Sequence, residues 1–250
     1  MYINDTHIGF YLIAALLGLA VGQFVDWCNK RLPDYKKIFS KEFFTEYLSE
    51  FKPNYILAFS NAIIYIALLY FVGWQDNIIY KLELLKYLII SPMLLSALCI
   101  DLKLQIIPNR LNLTIFEVGL VFTFIQALFN MNSAISMLIG CVVGAGIFLL
   151  ITLIGGLIAG KEAMGFGDVK LMGALGLCFG WMNIIMIALI AFLLGAIISI
   201  ALIVTKKKKT DEYIPFGPFI VMAAFIVMIV PFEILLFILL KIFTLGMYQE

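Results

Sequence analysis

An all-α membrane protein, a polytopic bundle of about eight transmembrane helices with its N-terminus outside, is the fold class this sequence predicts. Three observations carry it. The 250 residues are 64% hydrophobic and only 13% charged, with a mean hydropathy of +1.08, a composition suited to lipid as solvent. The apolar residues fall in long runs without the polar alternation of an outer-membrane barrel. The basic residues gather on one side of those runs.

A span needs roughly 20 apolar residues. On that criterion the runs are 8–28, 55–73, 84–100, 111–130, 134–158, 167–180, 183–204 and 216–241. The first has no basic region before it and no small-residue cleavage pattern after it, so it reads as a retained span and not as a signal peptide. The only sizeable polar piece, 30–54, spaces Phe44, Tyr47, Leu48 and Phe51 along one face, which suits a linker helix leaning on the bundle. The sixth run is the shortest. Lys206 to Lys209 form a charged loop after the seventh, a topology anchor. Small residues at Gly18 and Gly22, Gly140 and Gly144, and Gly176 and Gly180 let helices approach closely, within one bundle or in a homodimer. With the N-terminus outside, 14 of the 17 basic residues face the cytoplasm and only Lys81, Lys86 and Lys241 lie outside. That asymmetry fixes the orientation in the cell membrane.

A net charge of +1 and a pI near 7.6 give no footprint for nucleic acid. Cys28, Cys99, Cys141 and Cys178 are scattered through apolar runs with no C-x-x-C pair, which supports neither a disulfide framework nor a zinc site. The single histidine, His7, leaves metalloprotease and Ser-His-Asp chemistry without its usual residues. Carboxylates remain.

Two acids stand at the ends of apolar runs. Asp101 closes the third ahead of Ile107-Pro108-Asn109, and Asp168 opens the sixth in Gly165-Phe166-Gly167-Asp168. Taken singly, Asp168 reads as a helix N-cap and Asp101 as a boundary acid beside Lys103. Taken together, both fall on the cytoplasmic face. A peptide bond hydrolysed without metal, serine or histidine needs one ionised carboxylate to activate water and one protonated carboxyl to polarise the carbonyl. Neighbouring acids supply that split because they cannot both ionise cheaply. Which acid would be base stays open. A proton- or cation-coupled transporter using the same carboxylates is the rival reading, although it favours acids near the bilayer midplane. A metal hydrolase would need further ligands, and only Glu162 and Asn109 offer themselves.

The motifs resemble those of the type IV prepilin leader peptidases, GxGD-type intramembrane aspartyl proteases related to archaeal preflagellin peptidase. Asp101 through Asn109 is similar to the first-aspartate element with its I-P-N, and Glu162 through Leu171 to the second-aspartate motif. Ile214-Pro215-Phe216-Gly217-Pro218-Phe219 resembles the element that begins the last span, and Gly22 to Asp26 with Arg31-Leu32-Pro33 resemble the G-S-F-L-N and R-L-P elements. The resemblance implies that 1–250 is a single membrane peptidase domain. It implies Asp101 and Asp168 as the catalytic pair, cutting a basic leader from prepilin or pseudopilin substrates at the cytoplasmic face. It also implies that Gly165, Gly167, Pro108, Asn109, Glu162, Lys170, Pro215, Gly217 and Pro218 shape the site. No cofactor or metal is expected for proteolysis. Many family members also N-methylate the new terminus and carry paired C-x-x-C motifs in the first cytoplasmic loop, but 30–54 here contains no cysteine. Gln23 and Asp26 depart from the G-S-F-L-N pattern, and Ala58 stands near where a glutamate is often found. These departures count against methyl transfer, and S-adenosylmethionine is implied only if that activity is retained.

Overall fold

Long apolar runs with few interior breakers become helices because backbone groups in lipid must be satisfied within their own segment. In the computed structural model, which describes residues 2–3, 6–38, 45, 53–160, 164–205 and 214–244, eight helices form: α1 (Ile8–Arg31), α2 (Tyr55–Phe71), α3 (Ile78–Leu104), α4 (Asn109–Ala127), α5 (Met131–Ala159), α6 (Phe166–Val204), α7 (Gly217–Ile229) and α8 (Phe232–Phe243). A two-stranded antiparallel pair, Tyr2–Ile3 with Thr6–His7, precedes them. Five helices are long and apolar enough to cross a membrane, six if the bent pair α7 and α8 counts as one span, and α2 is a shorter apolar helix. The chain is an all-α polytopic membrane protein. The proposed amphipathic face of Phe44, Tyr47, Leu48 and Phe51 lies outside the described residues, as do Lys206 to Lys209.

The sixth and seventh runs are two limbs of α6, broken at Gly180 (φ 79°, ψ 172°). Along an unbroken helix Met172 and Ile184 would stand roughly 18 Å apart. Instead a Cβ on Gly144 would strike the Met172 carbonyl oxygen and lie 2.9 Å from Ile184 Cγ1, while one on Gly140 would meet Gly176 and Trp181 together. The chain therefore reverses at Gly180, a conformation open to glycine and to few other residues. The first limb, 166–179, is roughly 21 Å long, and every residue from Leu171 to Gly180 is buried.

Two elements differ from the sequence expectation. The last run, predicted as one span over 216–241, breaks at Val230–Pro231 with a bend of 120° between α7 and α8, because Pro231 lacks the N–H that would continue the helix. The third, predicted over 84–100, extends to Ile78–Leu104 and takes in Lys81 and Glu83. Lys86, counted on the outer side of the membrane at the start of that span, is only 2% exposed, with its Nζ 5.2 Å from the Tyr87 ring. The Tyr87 hydroxyl donates to Glu83 at 2.8 Å.

All three glycine pairs are used within the bundle. Cβ atoms on Gly18 and Gly22 would fall 2.5 and 2.6 Å from the Cα atoms of Ala62 and Ala58 on α2, and the other two pairs seat α5 on α6. The core runs through the centre of this arrangement. Leu171, Met172, Leu175, Ile184 and Ile187 of α6 pack with Ile90 and Leu94 of α3, Ile115 of α4, Phe148 of α5 and Ile220 of α7, all fully buried.

Candidate active site

The end of α3 and the start of α6 meet because α3 stops abruptly. Gln105 adopts a left-handed conformation (φ 57°) as the C-cap of α3, its N–H bonded to the Asp101 carbonyl at 2.9 Å. Ile106 and Ile107 then lead to Pro108, which caps α4 and accepts from the Leu111 and Asn112 amides at 3.0 and 3.2 Å. Proline with its fixed φ suits such a helix entry. The turn leaves Asp101 inside the last turn of α3, 4% exposed.

Asp168 sits in the first turn of α6 and is also 4% exposed. The N-cap is Gly165, whose carbonyl accepts the Asp168 N–H at 3.0 Å. The Asp168 side chain is therefore not spent on capping. Gly167 lets the loop after α3 close over α6, since a Cβ there would lie 3.3 Å from Ile107 Cβ. Asn112 fixes the same spot by donating through Nδ2 to the Gly167 carbonyl at 3.0 Å.

Asp101 and Asp168 line one cavity of about 320 Å³, together with Gln105, Ile107, Asn109, Gly165 and Lys170. The two carboxylates are near enough to interact electrostatically. Asp101 Oδ2 is buried and has no hydrogen-bond partner among the described residues, so Lys103 does not neutralise it. Behind Asp101 stands Gly217 at the start of α7, where a Cβ would collide with that carboxylate oxygen. Pro215 and Pro218 are buried on either side of Gly217 and set the entry of α7. At the mouth, Lys170 Nζ donates to Asn109 Oδ1 at 2.8 Å and lies 5.3 Å from the Phe166 ring. The structure thus gathers Asp101, Asp168, Gly165, Gly167, Pro108, Asn109, Lys170, Pro215, Gly217 and Pro218 around one end of the bundle. Glu162 lies outside the described residues.

Gln105, Ile107 and Asn112 also build the site and were not singled out by the sequence reasoning. Asn112 carried a signal: a polar residue inside an apolar run, one helical turn after Asn109 and hence on the same face. The departures at Gln23 and Asp26 have a structural account. Gln23 Oε1 accepts the Asn54 amide at 3.0 Å and its Nε2 donates to the Asn54 carbonyl at 3.2 Å. Asn54 Nδ2 donates to Asp26 Oδ1 at 2.8 Å, and Lys30 Nζ to Asp26 Oδ2 at 2.6 Å. Both residues tie α1 to the chain entering α2.

Residues 88–200, which hold both aspartates, match the model of the type IV leader peptidase family. A prepilin leader peptidase/N-methyltransferase of Aeromonas hydrophila is 31% identical over 145 residues, covering 58% of this chain and 49% of that protein. Proteins of the same name from Legionella pneumophila and Escherichia coli K12 are 32% identical over 158 residues (63% and 53% of the two chains) and 34% identical over 135 residues (53% and 57%). The chain spans about half the length of the curated relatives it matches. No solved structure matches it significantly.

Proposed function

We propose that this chain, whose segment 88–200 matches the type IV leader peptidase family model, is a membrane aspartyl endopeptidase that removes the basic leader from prepilin or pseudopilin substrates at the cytoplasmic face of the cell membrane. The observation that carries this reading is the shared cavity of two buried carboxylates, one from the end of α3 and one from the start of α6. One carboxylate accepts a proton from water as that water adds to the scissile carbonyl. The other, protonated, donates to the carbonyl oxygen. The tetrahedral intermediate then collapses as a proton reaches the leaving amine, and no bond forms between enzyme and substrate. Asp101 Oδ2, which has the Gly217 backbone beside the carboxylate but no well-formed hydrogen bond, is suited to holding the water or the carbonyl, since a buried acceptor gains most from a partner supplied by substrate.

The basic residues assigned to the cytoplasmic side include Lys103, Arg110 and Lys170 near this end of the bundle, which supports the cytoplasmic placement of the cavity. Methyl transfer is part of the relatives' name, and S-adenosylmethionine would serve that activity alone. The proposal for this chain is proteolysis.

The test is cleavage of a reconstituted prepilin by wild type, Asp101→Asn and Asp168→Asn, with the product's N-terminus read by mass spectrometry. Cleavage by wild type and its loss in both inserted, folded variants is the expected result. Full activity in either variant refutes the pair. The mass of the wild-type product also shows whether a methyl group has been added.

A further inference from the structure

The acid cavity continues into the membrane-facing side of the bundle. Between α4, α5 and the first limb of α6 runs an open apolar groove of about 590 Å³. It shares Asn109, Phe166 and Lys170 with the cavity that holds the two aspartates, so the Lys170 bridge between Asn109 and Phe166 stands at their common boundary. Leu113 and Phe116 of α4 and Leu149 of α5 form its walls, while Gly173 and Ala174 of α6 keep its floor low.

One polar side chain lines this apolar surface without being satisfied by it. Asn112 is 4% exposed, and its Nδ2 is committed to the Gly167 carbonyl. Its Oδ1 is buried and has no hydrogen-bond partner among the described residues. A buried acceptor left unpaired costs about 1–3 kcal/mol, and Asn112 lies one helical turn deeper than Asn109, directly below the cavity mouth.

From this we infer that the groove seats the apolar segment of the peptide substrate just after the cleaved bond, with Asn112 Oδ1 accepting a backbone N–H of that segment. The inference rests on the peptidase reading and adds where the substrate lies. A lipid acyl chain could fill the groove but has no donor for Asn112. A peptide has one to offer. The first N–H groups of any helix lack intrahelical acceptors, and the residues next to a bond being hydrolysed are extended, with their amides free. An apolar segment whose leading amides are unpaired matches an apolar groove with one unpaired acceptor near its top. Asn112 is on this account a positioning residue that places the substrate backbone while its Nδ2 holds the first turn of α6, which carries Asp168.

The native cysteines provide the test. Cys141 lines this groove, Cys28 lines a separate apolar pocket between α1, α3 and α4, and Cys99 lines a third pocket with Asp26, Lys30 and Asn54. Peptides with a basic leader and a single cysteine, moved through the first residues of the apolar segment, are bound to the full-length Asp168→Asn protein in liposomes and oxidised with copper–phenanthroline. A disulfide to Cys141, lost in Cys141→Ser, is the expected result. Adducts confined to Cys28 or Cys99, or none at Cys141 for any cysteine position, overturn the inference.

A second measurement isolates Asn112. Peptides in which one amide after the cleaved bond is replaced by an ester lack a single N–H. At one position the ester lowers kcat/KM of wild type roughly fivefold, the loss of one hydrogen bond. In Asn112→Leu, amide and ester are cleaved equally at that position, whatever the variant's own level. An equal ester penalty in both proteins overturns the role of Asn112, because a purely structural asparagine would leave that ratio unchanged. The peptidase reading fails separately, through absent wild-type cleavage or an active Asp→Asn variant. A missing Cys141 adduct beside normal wild-type cleavage removes the groove and leaves the aspartate pair standing.

Discussion

Gly217→Ala is the smallest change that should separate the candidate chemistry from the fold. Gly217 opens α7 and is buried against the third helix. A Cβ there would overlap Asp101 Oδ2 and fall 3.1 Å from both Asp101 Cγ and Ile107 Cδ1. Non-bonded carbons settle at about 3.5–4.0 Å, so the carboxylate must retreat by roughly 1 Å or α7 must lift by a similar amount. A misplacement of about 1 Å at a reacting group costs on the order of 10²-fold. We expect kcat for prepilin cleavage to fall by about that factor with KM little changed, because the groove between α4 and α5 is untouched. Stability should drop by about 1–3 kcal/mol, the usual cost of overpacking, and be read as a lower thermal midpoint in detergent. Gly146→Ala on α5 is the control, since a Cβ there meets nothing within 4 Å. Wild-type kcat in folded Gly217→Ala would refute the placement of Asp101 in the reacting geometry.

Chelation by EDTA should leave cleavage at its wild-type rate, since two carboxylates and water suffice for the proposed step; activity lost on chelation and restored by a divalent cation would replace the aspartyl reading with a metal one. Gly180→Ala should lower the thermal midpoint, because φ 79° with ψ 172° costs about 1–3 kcal/mol for a residue with a Cβ and that Cβ would lie 2.8 Å from Ser136 Oγ. An unchanged midpoint would remove the reversal at that glycine. Asn54→Ala should cost about 1–2 kcal/mol, because its side chain caps α2 through the Leu57 amide and donates to Asp26. Thermal unfolding of Asn54→Ala beside Asp26→Ala, which keeps the cap and removes the acceptor of the Asn54 amide, would compare the two contributions.

Most helices were legible because hydropathy is a property of composition along the chain, and lipid leaves an apolar run few alternatives to a helix. The exceptions have local causes. Pro231 lay inside an apolar run long enough to span, and hydropathy alone gives no weight to a missing N–H. Lys86 was counted among the three basic residues on the outer side, yet it is buried, with Tyr87 and Glu83 beside it within α3. At the site, the two aspartates were visible as acids at the ends of apolar runs, but nothing in their spacing says that they share a cavity. That juxtaposition depends on the left-handed Gln105, the cap at Pro108 and the packing of Ile107 on Gly167, all long-range in effect. Gly217 was legible only as part of a resembling element. Its contact with Asp101 is a property of how α7 packs on α3.

The first limb of α6 explains how a buried acid and an irregular backbone can coexist at the membrane. Irregular backbone is tolerated at membrane depth only where protein or water, and not lipid, surrounds it. Residues 171 to 180 are buried without exception, with α5 against one side through Gly140 and Gly144 and α4 against another through Gly119, where a Cβ would lie 2.8 Å from Leu177. The limb is therefore shielded by other helices, which removes the lipid penalty from the reversal at Gly180. The same enclosure sets its upper end. Phe166 is exposed while Asp168, two residues on, is buried, so the acid lies just beneath the entrance of a protein-walled shaft. A carboxylate there is buried by the bundle and lines the cavity above it. The sharp turn at Gly180 and the placement of Asp168 are in this sense one arrangement, a short helix enclosed by longer ones with its acid at the open end.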